Sequence, residues 1–434
     1  MPSGKPTLRD VAKAAGFSPM TASNALHGKP GVKDSTRAKV LAVAEKLDYR
    51  INLTASMLKS GRSNIIHIIV NEFDSPFYSK LTQALSNEIV SRGLIPFIEQ
   101  TQYSPDAAEH ALANNPFSGQ LFDGEIIHAS GLNAGVPLSA INHGRPLVLI
   151  DACEETPTFD TVNFPNEDGA RAAVQHLIEC GCHRIAIVGD GYSPRTELAH
   201  VESSSGLRLR GASGALLDAG LPYDESTNFI GYGSDSGIEA GHAIAEAMLE
   251  ARAQSADDTA ESRSPGTTRA TGSTPAIDGI FCINDYAAFG VIRGLADYGI
   301  RVPDDVRVIG FDGATAGSYT TPTLSTVQVD LDQLAQFALD MITRRVEQRD
   351  QGDGRSDESA GMPATLRRRN AGHARHHWIH TGSARVHCRF GKQVTLKRRN
   401  RAAIPDCRTH CPSAVQRDVR GFGMRQTVPS APTW

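Results

Sequence analysis

Three apolar runs in this chain end in residues that can grip a ligand. Asp151 follows Leu-Val-Leu-Ile, Asn284 and Asp285 follow Ile-Phe-Cys-Ile, and Asp312 follows Val-Ile-Gly-Phe. A carboxylate or carboxamide at the end of a buried run can accept hydrogen bonds from the hydroxyls of a small molecule. The plainer alternative is that it caps the next helix, and capping competes most strongly at Asp285, which precedes a helical stretch. Phe77 and Tyr78, in Ser-Pro-Phe-Tyr, follow another apolar run, where their rings would stack on a ligand ring or pack the interior. No Ser-His-Asp set or pair of carboxylates falls within one motif, so nothing calls for an enzyme, and no cofactor is implied. His373, His376, His377 and His380, with Cys407 and Cys411, fit no standard metal spacing, so no metal is assigned. The loop Gly231-Tyr-Gly-Ser-Asp-Ser-Gly237 resembles a phosphate cradle only superficially, because no Lys-Ser/Thr follows it.

The elements that must position these residues alternate. Asn64–Val70 is a buried-strand run, Tyr78–Arg92 reads as a helix, and Ile95–Ile98 is a second strand. The same beat returns at Gly124–Ile127, Pro146–Ile150, Arg184–Val188, Gly279–Ile283 and Val306–Gly310. Strands alternating with longer helices predict parallel sheets covered on both faces. Residues 63–362 are too many for one such sheet, which predicts two lobes. Ligands of open parallel sheets bind beyond the carboxyl ends of the strands, where the acids above stand. Residues 251–276, rich in Ala, Ser, Thr, Gly and Asp and lacking large apolar side chains, read as a flexible insertion.

The amino-terminal part has a different pattern. Leu8, Val11, Ala12 and Ala15 recur at helical spacing, and Gly16 supplies the backbone conformation that ends a helix. Ser18 is a good N-cap and Pro19 a good first helical residue, so a second helix begins at once. Ala22, Ala25 and Leu26 give that helix a narrow apolar face, which leaves Met20, Thr21, Ser23 and Asn24 outward. A third helix runs from about Ser35 to Leu47, with Val40, Ala44 and Leu47 inward and Arg37, Lys39 and Lys46 outward. Charge separates this head from the rest. Residues 1–62 hold eleven Lys/Arg and four Asp/Glu, whereas residues 63–362 hold eighteen and forty-two, within a chain of net charge −4. A basic helix-turn-helix joined to an acidic body points to double-stranded DNA as the partner of the head.

These residues resemble the lac-repressor family of bacterial transcription regulators. The likeness runs from Thr7 to about Leu366 and is most specific over Thr7–Gly61, through Thr-Leu-Arg-Asp-Val-Ala-Lys-Ala-Ala-Gly-Phe-Ser, Thr-Ala-Ser-Asn-Ala-Leu, Lys-Pro-Gly-Val-Lys and Leu-Asp-Tyr-Arg. The resemblance implies an all-α helix-turn-helix headpiece (residues 1–50), a hinge helix and linker (51–62), and a two-lobed α/β domain like a periplasmic binding protein (63–362). The chain would cross between lobes near 163 and 327. It places Pro19, Met20 and Asn24 where bases are read, Thr21 and Ser23 at phosphates, and Thr7, Ser18, Asn52 and Ala55 also at the DNA. Leu58 falls where the family inserts a leucine into the minor groove to kink the central step; the alternative is an ordinary linker leucine. The family begins its hinge with Pro-Asn, whereas this chain has Ile51-Asn52, a less rigid start.

In the second domain the resemblance sets Asp151, Asn284, Asp285 and Asp312, together with Arg208, at effector-contact positions, with Phe77 and Tyr78 at the mouth. Where many sugar-binding relatives carry an aromatic wall, near Ser236, this chain has none. The expected protein is a homodimer on a palindromic operator, a repressor of carbohydrate genes whose DNA binding is controlled by a sugar or sugar derivative in the cleft. A purine-type regulator, in which ligand promotes DNA binding, is the alternative within the family. A small-molecule binding protein, or a degraded regulator without ligand response, lies outside it. Seven cysteines without an even framework, no signal peptide and no apolar run near twenty residues predict a cytoplasmic, nucleoid-associated protein without membrane contact.

The carboxyl end departs from this pattern. Residues 363–434 hold fifteen Lys/Arg and two Asp/Glu, with neither strand nor helix periodicity. The abrupt switch, where the family has an apolar closing strand, is what translation in a shifted reading frame would produce, and one lobe would then lack its last strand. A single-base repair of the coding DNA that restores an apolar strand after Leu366 is the matching observation.

Overall fold

The computed structural model describes residues 6–28, 30–50, 61–114, 121–130, 132, 138, 144–155, 157–261, 276–353, 376–378, 383–387 and 393–397. The hinge residues Asn52, Ala55 and Leu58 lie outside the described residues.

The head is three helices, α1 (Leu8–Ala15), α2 (Pro19–Leu26) and α3 (Asp34–Lys46). Thr7 starts α1 through a reciprocal cap, its amide donating to Asp10 Oδ2 at 2.8 Å while its hydroxyl accepts from the Asp10 amide. Gly16 ends α1 at φ 76°, and the Phe17 amide closes back on the Ala12 carbonyl at 2.9 Å. Val11, Ala12, Ala15, Ala22, Ala25, Val40 and Ala44 are buried together, with Leu8, Phe17, Leu26 and Leu47 packed around them. Small alanines at the shared face let such short helices approach. Arg37, expected outward, is half-buried.

The first lobe comprises β1 (Ile65–Val70), α4 (Pro76–Ser91), β2 (Ile95–Gln100), α5 (Pro105–Glu109), β3 (Gly124–His128), β4 (Leu147–Ile150) and β5 (Asp160–Asn163). Its strands are parallel, in the order β2-β1-β3-β4-β5. The second lobe comprises α6 (Asn166–Glu179), β6 (Ile185–Gly189), α7 (Arg195–Leu198), α8 (Ser204–Asp218), β7 (Asn228–Ile230), α9 (Ser234–Glu261), β8 (Gly279–Cys282), α10 (Asp285–Asp297), β9 (Arg307–Asp312) and β10 (Ser325–Gln328). Its parallel order is β7-β6-β8-β9-β10. The chain crosses between lobes after Asn163 and again after Gln328, where α11 (Leu331–Asp353) returns to pack on α4 and on β3, β4 and β5. Arg345 fixes that return with a two-pronged bond to the buried Asp160, at 2.7 and 2.9 Å.

Asp123 accepts from the Ser63 amide and hydroxyl and from the Asn64 amide, at 2.8, 3.0 and 2.9 Å. Ser63 and Asn64, which follow the hinge segment in sequence, are thereby clamped to the first lobe. Any rotation of that lobe moves the carboxyl end of the hinge segment with it.

Two expectations are corrected here. Residues 251–261 continue α9 instead of opening a flexible insertion, because Ala, Arg, Gln and Glu are strong helix formers even without large apolar side chains; residues 262–275 lie outside the described residues. The tail, read as lacking strands, contributes β11 (His376–Trp378), parallel to β5, and the antiparallel pair β12 (Ser383–His387) and β13 (Gln393–Lys397), which extends the second sheet from β10. Open sheet edges at β5 and β10 supply backbone donors and acceptors, so pairing there does not require an alternating side-chain pattern. No helix among the described residues is long and apolar enough to cross a membrane.

Candidate functional site

Both sheets direct the carboxyl ends of their strands toward one cleft of about 700 Å³ between the lobes. The seven residues singled out for effector contact, Phe77, Tyr78, Asp151, Arg208, Asn284, Asp285 and Asp312, all line it. Asp151 follows β4 with φ 59°, and Asp312 ends β9 with φ 108°. Left-handed backbone is unfavourable for residues with a side chain, and here it holds two carboxylates at the cleft.

A polar relay joins the lobes at the cleft floor. Asp151 Oδ1 accepts from Asn166 Nδ2 at 2.8 Å, Asn166 Oδ1 accepts from Arg208 Nε at 2.8 Å, and Arg208 Nη1 donates to Asp312 Oδ1 at 3.2 Å and to the Ile283 carbonyl. The Arg208 guanidinium lies 3.8 Å from the centre of the Phe311 ring, a cation–π contact that fixes its plane. Lys80, on α4, makes a second tie across the lobes by donating to the Gly313 carbonyl at 3.0 Å. Arg208, although it lies in a helix, is buried because this relay needs its charge.

The strand-end residues do not all play one part. Asn284 is the N-cap of α10, accepting from the Ala287 amide at 2.7 Å, while its Nδ2 donates to the Tyr232 carbonyl at 3.0 Å. Capping, which the sequence suggested for Asp285, therefore falls one residue earlier. Asp285 is almost wholly buried and accepts from the Ala314 amide at 2.6 Å. Burial, with Asp312 nearby, holds its carboxyl well above the usual carboxylate range. It braces the loop that carries Asp312. Tyr78 is buried, accepts from Asn71 Nδ2 at 2.9 Å, and packs edge-on against His128, while Phe77 packs against Phe164 and His128.

Sequence reasoning missed two residues of this site. His128, at the end of β3, lines the cleft, and its place after the apolar run Gly124–Ile127 was an available signal; Asn166, just past the first crossing, joins the relay and carries no local signal. The expected lack of an aromatic wall near Ser236 is also corrected. Tyr232, 46% exposed, and Tyr286 both line the cleft. A tyrosine four residues before Ser236 was available as a signal, since the Ser236 hydroxyl accepts from the Tyr232 amide and holds that turn.

Burial holds the Asp312 carboxyl up at about 6, with Arg208 pulling the other way. The sign of the consequence differs between fold and ligand. The folded form binds this proton more tightly than the unfolded chain, so the penalty of the buried charge is relieved as pH falls from about 6 toward the ordinary value of 3.8. A ligand hydroxyl bonded to the ionised pair with Arg208 loses its acceptor over the same range. Affinity measured by titration calorimetry should be steady from pH 7 to 8 and decline below pH 6; an affinity unchanged at pH 5 contradicts this role for Asp312.

In the head, Ser18 caps α2 by accepting from the Thr21 amide at 3.1 Å, and its hydroxyl lies 2.9 Å from that of Thr21. Pro19 occupies the first turn, Met20 is 73% exposed, and Ser23 and Asn24 are half-buried on the same short helix. Thr7 is exposed at the start of α1. A large apolar side chain held out in water at the start of a capped helix, on a basic domain, suits contact with base edges.

Comparison with known proteins fits this geometry. The family described as "Bacterial regulatory proteins, lacI family" matches residues 7–52, and "Periplasmic binding protein-like domain" matches residues 174–370. Catabolite control protein A of Priestia megaterium is 29% identical over 339 residues, spanning 78% of this chain and 92% of that protein. The solved complex of the transcriptional regulator CelR with cellobiose is 25% identical, with a TM-score of 0.50, over 79% of this chain and 93% of that one. The lac repressor bound to ONPG shares the fold at a TM-score of 0.60 and 22% identity, over 80% of this chain and 94% of that one.

Proposed function

Because this chain belongs to the lac-repressor family of transcription regulators and binds DNA through its helix-turn-helix head, we propose that it is a homodimeric repressor released from a palindromic operator by an uncharged sugar bound in the cleft. The observation that carries the ligand class is the charge of the lining. Glu72, Asp151, Glu154, Glu202 and Asp312 stand against Arg208, whose Nε and Nη1 are already engaged in the relay. A phosphate or carboxylate would meet a negative surface, whereas hydroxyls can donate to these acceptors and ring faces can stack on Tyr232 or Tyr286. The cellobiose seen with CelR is a ligand of this chemical kind.

Binding between the lobes changes their separation. Through the Asp123 clamp, that change reaches Ser63 and the hinge. Two hinges in a dimer approach each other or part accordingly, which would link the cleft to the operator. Dimer symmetry matches a palindrome of two half-sites. The protein would work in the cytoplasm on the nucleoid.

Thermal unfolding with a panel of neutral mono- and disaccharides, their phosphates and purine bases tests this reading. A neutral sugar at about 100-fold over its Kd should add roughly 2.7 kcal/mol and raise Tm clearly. Stabilisation by a sugar phosphate or by a purine base, with none by a neutral sugar, overturns it.

A further inference from the structure

The cleft contains a buried donor that nothing among the described residues satisfies. His128 is 3% exposed and lines the cleft, and its Nε2 has no hydrogen-bond partner. Its other ring nitrogen is fully engaged. The Ser130 amide lies 3.3 Å from Nδ1 and can only donate, so Nδ1 must accept. The Tyr78 hydroxyl lies 3.5 Å from the same nitrogen; it already accepts from Asn71 Nδ2, so its own proton points elsewhere than at Asn71. Burial pushes that phenol up to about 12, which keeps the proton in place at neutral pH. With Nδ1 an acceptor, the imidazole carries its proton on Nε2.

The ring is also held neutral. Burial lowers the His128 pKa to about 4, with Asp151 opposing and Arg208 adding to the shift. A buried N–H without a partner is costly in an empty cleft and becomes favourable when a ligand supplies the acceptor. We propose that His128 is a specificity-determining residue of the cleft, a neutral imidazole locked in the Nε2–H form that donates to one uncharged oxygen of the ligand. An ammonium at that position would offer only donors and be refused, and a deoxy analogue would leave the N–H orphaned. The inference rests on the sugar reading above and adds to it a residue and an atom.

The test uses the full-length protein and the neutral sugar that most raises its Tm. His128→Ala should weaken that sugar roughly 10- to 100-fold, whereas His128→Gln, which keeps an amide N–H at similar reach, should stay within a few-fold of wild type. A series of monodeoxy analogues gives a readout that loose packing would not mimic. Wild type should lose affinity for the analogue lacking the oxygen that His128 contacts, and His128→Ala should not discriminate that analogue from the parent. Should the alanine variant fold poorly, the same series on His128→Gln carries the test, with the discrimination retained. The inference is overturned if His128→Ala binds as wild type does, or if the deoxy penalties are the same in both. If no neutral sugar binds wild type, the sugar reading fails and this inference fails with it; if a sugar binds and only the His128 coupling is missing, the sugar reading stands alone.

Discussion

Replacing Arg208 with alanine should leave a protein that binds its operator and no longer responds to ligand. The side chain holds Asn166, the Ile283 carbonyl and Asp312 at once, and through Asn166 it reaches Asp151 in the other lobe. Its removal leaves the buried Asp312 carboxylate without its facing cation and takes away the flat charge stacked on Phe311. Breaking a buried pair from one side costs about 3–5 kcal/mol, and ligand affinity should fall at least 100-fold, since the acceptors it positions are the ones a sugar would use. The head has a separate core built from α1, α2 and α3, so DNA binding should survive. Arg208→Lys should rescue little, because an ammonium cannot serve Asn166 and Asp312 in one plane. Calorimetry with ligand and fluorescence anisotropy with labelled duplex measure the two halves separately. A variant that still releases DNA on adding ligand would contradict the relay.

The second large effect is expected at Gly290. Helices α9 and α10 meet through Gly237 and Gly241 on one and Gly290 and Gly294 on the other. A Cβ on Gly290 would lie 2.1 Å from the Ser234 carbonyl oxygen and 2.7 Å from the Ile238 nitrogen, both backbone atoms. Gly294 is similarly close to the Ile238 carbonyl, at 2.4 Å, and Gly237 to that of Ala287, also at 2.4 Å. Neither helix backbone can yield as a side-chain tip can, so Gly290→Val must push the pair apart. Overpacking costs typically about 1–3 kcal/mol and more where backbone is the obstacle, so at least about 3 kcal/mol is expected here. Because α10 begins at Asp285 and its cap Asn284, the shift would also loosen the loop bearing Asp312. Thermal unfolding should show a Tm lowered by several degrees together with weakened sugar binding. An unchanged Tm would mean that the helices are not held this closely.

Much of this was legible in the sequence where the signal is local. Gly16, Ser18 and Pro19 punctuate the head within a few residues of the helices they begin or end, and the structure places each boundary there. Apolar runs marked the central strands because a strand buried on both faces must be apolar throughout. Strands β5, β7 and β10 escaped, since Asp160-Thr-Val-Asn, Asn228-Phe-Ile and Ser325-Thr-Val-Gln are short and largely polar, and their pairing is set by the neighbouring strand. The cleft divides in the same way. Asp151 and Asp312 stood out at the ends of apolar runs, whereas Arg208 sits mid-helix, where its type alone suggests a surface residue, and only the family likeness singled it out. Asn166 and His128 acquire their roles from chain crossings that bring residues 42 and 50 positions apart together, as Asn166 meets Arg208 and His128 meets Tyr78. Periodicity carries no trace of such pairings.

The most direct test of the account is selection of duplexes from a random pool at fixed, near-physiological salt, with the full-length protein and with a version ending at Gly361, followed by titration of the selected duplex with the stabilising sugar. Salt must be held constant because phosphate contacts make affinity fall steeply as it rises. The account predicts a palindrome of two half-sites around a deformable centre, with preference at the bases facing Met20 and Asn24, and release from it when the sugar is added. Recovery of no preferred sequence by either version, or a selected duplex indifferent to every sugar that binds the cleft, would contradict it.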